Sequence, residues 1–81
     1  MNYALLLKTQ ENKYFPIGLD YGSKERAERG EKNQKIGRGQ QYTYKVCPLS
    51  EVKTLLENDK MDFDGFTEKA TKEKINFIRQ N

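Results

Sequence analysis

Histidine and tryptophan are absent from this 81-residue chain, and cysteine occurs once, as Cys47. A single cysteine excludes an internal disulfide, and without histidine the nitrogen and sulfur ligand sets of ordinary zinc sites are excluded as well. Because histidine is also the most common general base, we expect neither an enzyme nor a cofactor or metal site. One free cysteine and the lack of an N-terminal signal segment predict a reducing, cytoplasmic setting.

Long apolar runs are also missing. The longest covers residues 4–7, far short of the roughly 20 residues of a membrane-spanning helix, so we expect no membrane partner. Hydrophobic residues make up 35% of the chain and charged residues 33%, which is polar for a globular protein. Because the apolar residues are clustered, we predict a single folded domain over residues 1–81 that contains a mobile polar insert.

Two apolar stretches near the N-terminus predict a β-hairpin. Residues 2–8 contain a continuous apolar run bounded by polar residues, typical of a strand that is buried on both faces, or on one face with a covered edge. A polar turn separates this run from residues 14–19, which predict the second strand. Pro16 has no N–H to donate, so it places that strand at a sheet edge or a bulge, and Gly18 also favours a bulge.

The second half of the chain predicts one more strand and two helices. Residues 41–46 alternate as a strand does, with Tyr42 and Tyr44 on one face. Pro48 suits the first turn of a helix that Ser50 caps or supports and Asn58 ends. The apolar positions of this helix are Leu49, Val52, Leu55 and Leu56. A last helix, capped by Asp64, has its apolar positions at Phe66, Ala70, Phe77 and Ile78, with Ile75 at the margin.

These elements predict an α+β fold of order β-β-loop-β-α-α. It is a small three-stranded antiparallel sheet with two helices packed on one face and a long basic loop. The loop covers residues 22–41, whose only apolar side chains are Ala27 and Ile36. Such a segment cannot bury enough surface to offset the entropy of ordering it.

The spacing of charged residues inside residues 22–41 indicates some helical tendency. Three glutamates each precede a base by four residues, the favourable orientation on a helix: Glu25–Arg29, Glu28–Lys32 and Glu31–Lys35. Gly30, however, costs about 1 kcal/mol relative to alanine, and no apolar stripe offers tertiary packing. We therefore predict a mobile loop with some helical tendency.

The positive charge of the chain is concentrated in its middle. The formal net charge is +3, and residues 24–45 hold seven bases against three acids. This asymmetry is typical of a surface that binds nucleic acid or an acidic protein, and equally of a solvated loop. The predicted partner-binding residues are Lys24, Arg26, Arg29, Lys32, Lys35, Arg38, Tyr42 and Tyr44.

Two features of this region have alternative interpretations. Gly37, Arg38 and Gly39 precede a strand, where glycines can aim backbone N–H groups at an anion and arginine can contact phosphate; the alternative is a flexible start to the strand. Tyr42 and Tyr44 can stack on bases beside the basic loop, or their face can pack beneath the two helices.

The sequence leaves two function classes open. The first is a non-catalytic regulatory or inhibitory protein, such as a phage-type inhibitor of a nucleic-acid-handling machine, that binds a protein partner through the basic loop. The interleaved glutamates favour it, because they repel phosphates whereas a protein surface can pair with both signs. The second is a weak nucleic-acid-binding module that uses the basic loop and the strand tyrosines. The exposed edge at residues 14–19 leaves a strand-paired homodimer open.

Overall fold

The computed structural model describes residues 2–10, 13–39, 41–62 and 69–80. The elements in chain order are β1 (Tyr3–Gln10), β2 (Lys13–Tyr21), α1 (Lys24–Arg38), β3 (Tyr44–Pro48), α2 (Leu49–Glu57) and α3 (Lys69–Gln80). The strands form one antiparallel sheet in the order β2-β1-β3, which confirms the predicted α+β class. The predicted cap Asp64 and the predicted apolar position Phe66 lie outside the described residues.

The central strand β1 is buried on both faces. Ala4 and Leu6 belong to the main core, which α2 and α3 cover. Leu5 points to the opposite face, because side chains alternate along a strand, and it is just as fully buried. Since α1 packs on β1 and β3 and its Ala27 is fully buried, α1 covers the face that Leu5 occupies. Of the two predicted alternatives for this strand, burial on both faces is therefore correct.

The main core lies between the sheet and the two C-terminal helices, as predicted. Its buried members are Ala4, Leu6, Leu19, Cys47, Val52, Met61, Ile75 and Ile78. The assignment of α3 needs correction, because Ile75 is buried whereas Phe77 is 60% exposed and Ala70 is also exposed. Ile75 and Ile78 are three residues apart and share one face of the helix, which leaves Phe77 on the other side.

The boundaries of α2 also differ slightly from the prediction. Pro48 is the last residue of β3 and the N-cap of α2, with no side-chain capping bond, and Asn58 is the C-cap. Ser50 lies inside the helix and does not cap it; its carbonyl oxygen accepts a hydrogen bond from Thr54 Oγ1 at 3.3 Å. The strand therefore continues directly into the helix, and the Leu49 N–H still donates to the carbonyl of Asn2, the residue before β1, at 3.3 Å.

The predicted basic loop is instead the 15-residue helix α1. Ser23 caps it by accepting a hydrogen bond from the Arg26 N–H at 3.2 Å. At the other end Gly39 adopts a positive φ of 95° and donates its N–H to the Lys35 carbonyl, as glycine does where helices end. Among the described residues, only the Glu31–Lys35 pair of the three predicted helix pairs forms a salt bridge, at 3.0 Å.

The strand order explains why this segment is helical. β2 and β3 are both antiparallel to β1, so they are parallel to each other and lie on either side of it. A chain that joins two parallel strands must cross one face of the sheet, and a helix is the usual crossover. The faces of β1 and β3 that lie opposite to the main core need a cover, and α1 supplies it.

Strand β2 is an edge strand with bulges, as Pro16 and Gly18 predicted. Its register with β1 shifts on both sides of the Leu5–Gly18 pair. Part of its outer edge is covered, because the Tyr14 N–H donates to the Lys60 carbonyl at 2.9 Å and the Tyr14 carbonyl accepts from the Asp62 N–H at 2.7 Å.

Candidate partner-binding surface

The side of α1 that faces away from the sheet is made of charged residues around one isoleucine. Glu25, Arg29, Lys32 and Ile36 lie within about 40° of the direction opposite to the buried Ala27, given 100° per residue, and all four are exposed. We call these four residues the outer face of α1. Ile36 is 84% exposed, so its side chain contributes almost nothing to the core.

The six bases of α1 do not form a single stripe. From Arg26 to Arg38 they recur at every third position, and each such step turns back by about 60° around the helix. Two of them have partners within the helix: Lys35 pairs with Glu31, and Arg38 Nε donates to Gln34 Oε1 at 2.8 Å. The bases at the centre of the outer face, by contrast, point into solvent.

The basic helix and the predicted strand tyrosines meet at a cleft. Glu31 and Lys35 of α1 line it together with the three residues 42–44, and its volume is about 370 Å³. Tyr42 is 42% exposed there. Tyr44 is half-buried, and within the described part of the chain its hydroxyl group, itself shielded from solvent, has no hydrogen-bond partner.

The tyrosine face of β3 lies under α1. Tyr44 pairs with Leu7 and Val46 pairs with Leu5, and these leucines point to the face that α1 covers. The interpretation that places the tyrosines beneath the two C-terminal helices is therefore wrong. Those helices cover the other face of β3, where Cys47 joins the main core.

Gly37, Arg38 and Gly39 stand at the C-terminal end of α1 rather than in a loop. The N–H of Gly39 already donates to a carbonyl of the helix. The free carbonyl groups of a helix C-terminus carry partial negative charge, which repels anions. This arrangement gives no support to the predicted anion contact, although Arg38 itself remains exposed.

Cys47 sits in an environment that suppresses thiol chemistry. The residue is buried, and burial, followed by the nearby Glu51 carboxylate, raises the pKa of its thiol to about 12. A hydrogen bond from Lys45 lowers the pKa of Glu51, and Lys45 Nζ lies 2.9 Å from the Glu51 carboxylate. At neutral pH the thiol stays protonated, which fits the role of a small core residue.

Predicted and observed site residues overlap in part. The cleft brings together Lys35, Tyr42 and Tyr44 from the predicted set, whereas Lys24 and Arg26 lie at the other end of α1. Sequence reasoning did not include Ile36 among the partner-binding residues. The available signal was that Ala27 and Ile36 are the only apolar side chains in residues 22–41, and at 100° per residue they lie on opposite faces of a helix.

No helix in the described ranges is both long and apolar enough to cross a lipid bilayer. No protein-family model matches the chain, and no curated protein or solved structure matches it either.

Proposed function

We propose that this chain is a non-catalytic regulatory or inhibitory protein that binds an acidic surface of a protein partner through the outer face of α1. The exposure of Ile36 carries the proposal. An apolar side chain that is 84% exposed and shares its helix face with Arg29 and Lys32 resembles the anchor of a protein interface, where a buried apolar contact has a polar rim.

The distribution of charge supports a protein partner over a nucleic acid. Glu25 lies on the outer face itself and Glu28 lies beside it, so a phosphate backbone would meet like charges there. The bases also wind around α1 and cannot all follow one strand of phosphates. A protein surface, in contrast, can present acids opposite Arg29 and Lys32 and a base opposite Glu25.

A weak nucleic-acid-binding module is the second candidate. The observation that favours it is the cleft in which Lys35 lies beside the exposed ring of Tyr42. A base stacked on that ring would bring its phosphate near α1. For both candidates we propose the cytoplasm as the site of action, where a single cysteine stays reduced.

The test of the main proposal is affinity capture from the source cell with matched charge variants. Arg29→Glu with Lys32→Glu changes the net charge by −4 on the outer face of α1. Lys69→Glu with Lys72→Glu makes the same change at exposed positions of α3. We expect the first variant and Ile36→Ser to lose the captured partner, the second to keep it, and all three to melt near the wild-type temperature.

Fluorescence anisotropy with short single- and double-stranded DNA and RNA separates the two candidates. Tight binding that falls steeply between about 50 and 200 mM salt would favour the nucleic-acid module. Equal loss of captured partner in the α1 and α3 charge variants would contradict the main proposal, because net charge alone would then explain the binding.

A further inference from the structure

Among the residues that the structure describes, no other strand covers one edge of β3. The Lys8 N–H donates to the Thr43 carbonyl at 2.9 Å, and the Leu49 N–H donates to the carbonyl of Asn2, the residue before β1. In an antiparallel ladder alternate residues turn their backbone groups to the same side. The backbone groups of Tyr44 and Val46 therefore point away from β1. We call these groups the outer edge of β3.

The two edges of the sheet differ. On β2 the backbone of Tyr14 is paired with Lys60 and Asp62. On the outer edge of β3, within the described residues, neither Tyr44 nor Val46 has a backbone hydrogen-bond partner. An added strand would find free donors and acceptors at β3.

The surroundings of this edge carry positive charge. Glu31 and Lys35 of α1 line the cleft over the start of β3 and pair with each other. Of the other two bases between residues 31 and 38, Lys32 lies on the outer face of α1, whereas Arg38 lies in the last turn, on the same side of the helix as Ala27. On the other face of β3 Lys45 is balanced by Glu51. The net field at the edge therefore favours acidic side chains on an incoming strand.

A second copy of this chain fits the edge poorly. Antiparallel pairing of two β3 edges through Tyr44 and Val46 would place Lys45 directly opposite the same residue of the second copy. Like charges in directly opposed positions destabilise a strand pair, and lysine on an edge strand commonly prevents self-association.

We propose that the outer edge of β3 accepts an extended acidic segment of a protein partner as a fourth strand of the sheet. This inference rests on the proposed function, because it takes the same acidic partner and names how part of that partner is held. Backbone hydrogen bonds to Tyr44 and Val46 supply the pairing. The cleft beside Tyr42 receives side chains from one face of the added strand.

The test uses three blocked seven-residue peptides and the wild-type protein labelled with nitrogen-15. In the first, glutamate alternates with valine; the second has lysine in place of glutamate; the third keeps the glutamates but is N-methylated at alternate amides on the pairing side. With the first peptide we expect the Tyr44 and Val46 amides to shift and their hydrogen exchange to slow at least tenfold. The lysine and N-methylated peptides should each bind at least tenfold more weakly.

Several results would overturn the inference. The first is that the amide signals of Tyr44 and Val46 do not shift at millimolar concentration of the first peptide. The second is that the N-methylated peptide binds as tightly as the first. The third is that sedimentation shows a dimer whose contact protects these two amides from exchange. Failure of the proposed function is distinguishable, because it is read from the Arg29, Lys32 and Ile36 variants. Those variants leave the backbone of β3 untouched.

Discussion

The ring of Tyr21 lies directly against Gly30, across the interface between β2 and α1. A Cβ atom placed on Gly30 would lie 2.5 Å from the Tyr21 hydroxyl oxygen and 2.9 Å from Cζ. A Cβ atom on Gly18 would lie 2.8 Å from Cε2 of the same ring. The ring thus occupies space that two glycines leave open, and this close approach fixes the distance of α1 from the sheet.

Gly30→Ala is therefore expected to destabilise the protein although alanine is the better helix former. Alanine gains about 1 kcal/mol in helix propensity, whereas overpacking against the ring typically costs 1–3 kcal/mol. We therefore expect the free energy of unfolding, measured in urea, to fall by up to about 2 kcal/mol. Gly37→Ala is the matched control, because a Cβ there meets nothing within 4 Å. It should stabilise α1 by about 0.5–1 kcal/mol. If both variants are stabilised, Tyr21 does not restrict the helix.

Leu5→Ala and Leu6→Ala should each cost about 2–5 kcal/mol, because both side chains are fully buried. They should differ in which helix loosens, since Leu5 faces α1 and Leu6 faces the main core. Native-state hydrogen exchange checks this. We expect Leu5→Ala to reduce protection mainly in α1, and Leu6→Ala mainly in α2 and α3. Equal effects on all three helices would contradict the two-sided packing of β1.

The Cys47 thiol is expected to react only when the protein opens. Because burial raises its pKa to about 12, almost no thiolate exists at pH 8, and the sulfur is also shielded. A chromogenic disulfide reagent should label the native protein at a rate that follows unfolding, and it should label the chain within seconds in concentrated urea. Fast labelling in native buffer would mean that the edge of the core at Cys47 opens locally.

The Glu51–Lys45 pair is expected to give a small acid-dependent contribution to stability. The folded-state pKa of Glu51 is lowered, chiefly by the hydrogen bond from Lys45. The contribution is therefore present above the unfolded value of about 4.3, and it is lost as pH falls through the folded value. Because the pair is partly exposed, we expect Glu51→Gln to cost about 1 kcal/mol or less at pH 7.

Urea unfolding of wild type and Glu51→Gln at pH 7 and at pH 3 checks this sign. The difference in unfolding free energy between the two proteins should shrink toward zero at the lower pH. A difference that grows on acidification would mean that neutral Glu51 makes a favourable contact that glutamine lacks.

The hairpin and the helix after β3 were accessible to sequence reasoning, because their signals are local. A continuous apolar run predicts β1 and includes burial on both faces as one of two alternatives, and Pro16 places β2 at an edge or a bulge. Helical spacing after Pro48 predicts α2. In α3 the same reasoning placed Phe77 inside and Ile75 at the margin, because it chose the face that Phe77 shares with Ala70. Packing against the sheet instead buries the face of Ile75 and Ile78.

The helical structure of the basic segment could not be predicted from local signals. Its composition predicts a loop, since only Ala27 is available to bury. Tertiary structure decided otherwise for two reasons. β2 and β3 are parallel across β1 and need a crossover, and Gly30 lets the backbone of α1 approach Tyr21 so closely that a single buried alanine suffices.

The same distinction between local sequence and tertiary structure applies to the candidate site. The sequence by itself determined which charges, tyrosines and glycines the middle of the chain carries, and hence its positive excess. Only the tertiary structure decided that Lys35 and Tyr42 share a cleft, that Ile36 points into solvent, and that Tyr44 lies under α1. Composition is a local property of the chain, whereas side-chain direction depends on which face of the sheet the crossover helix covers.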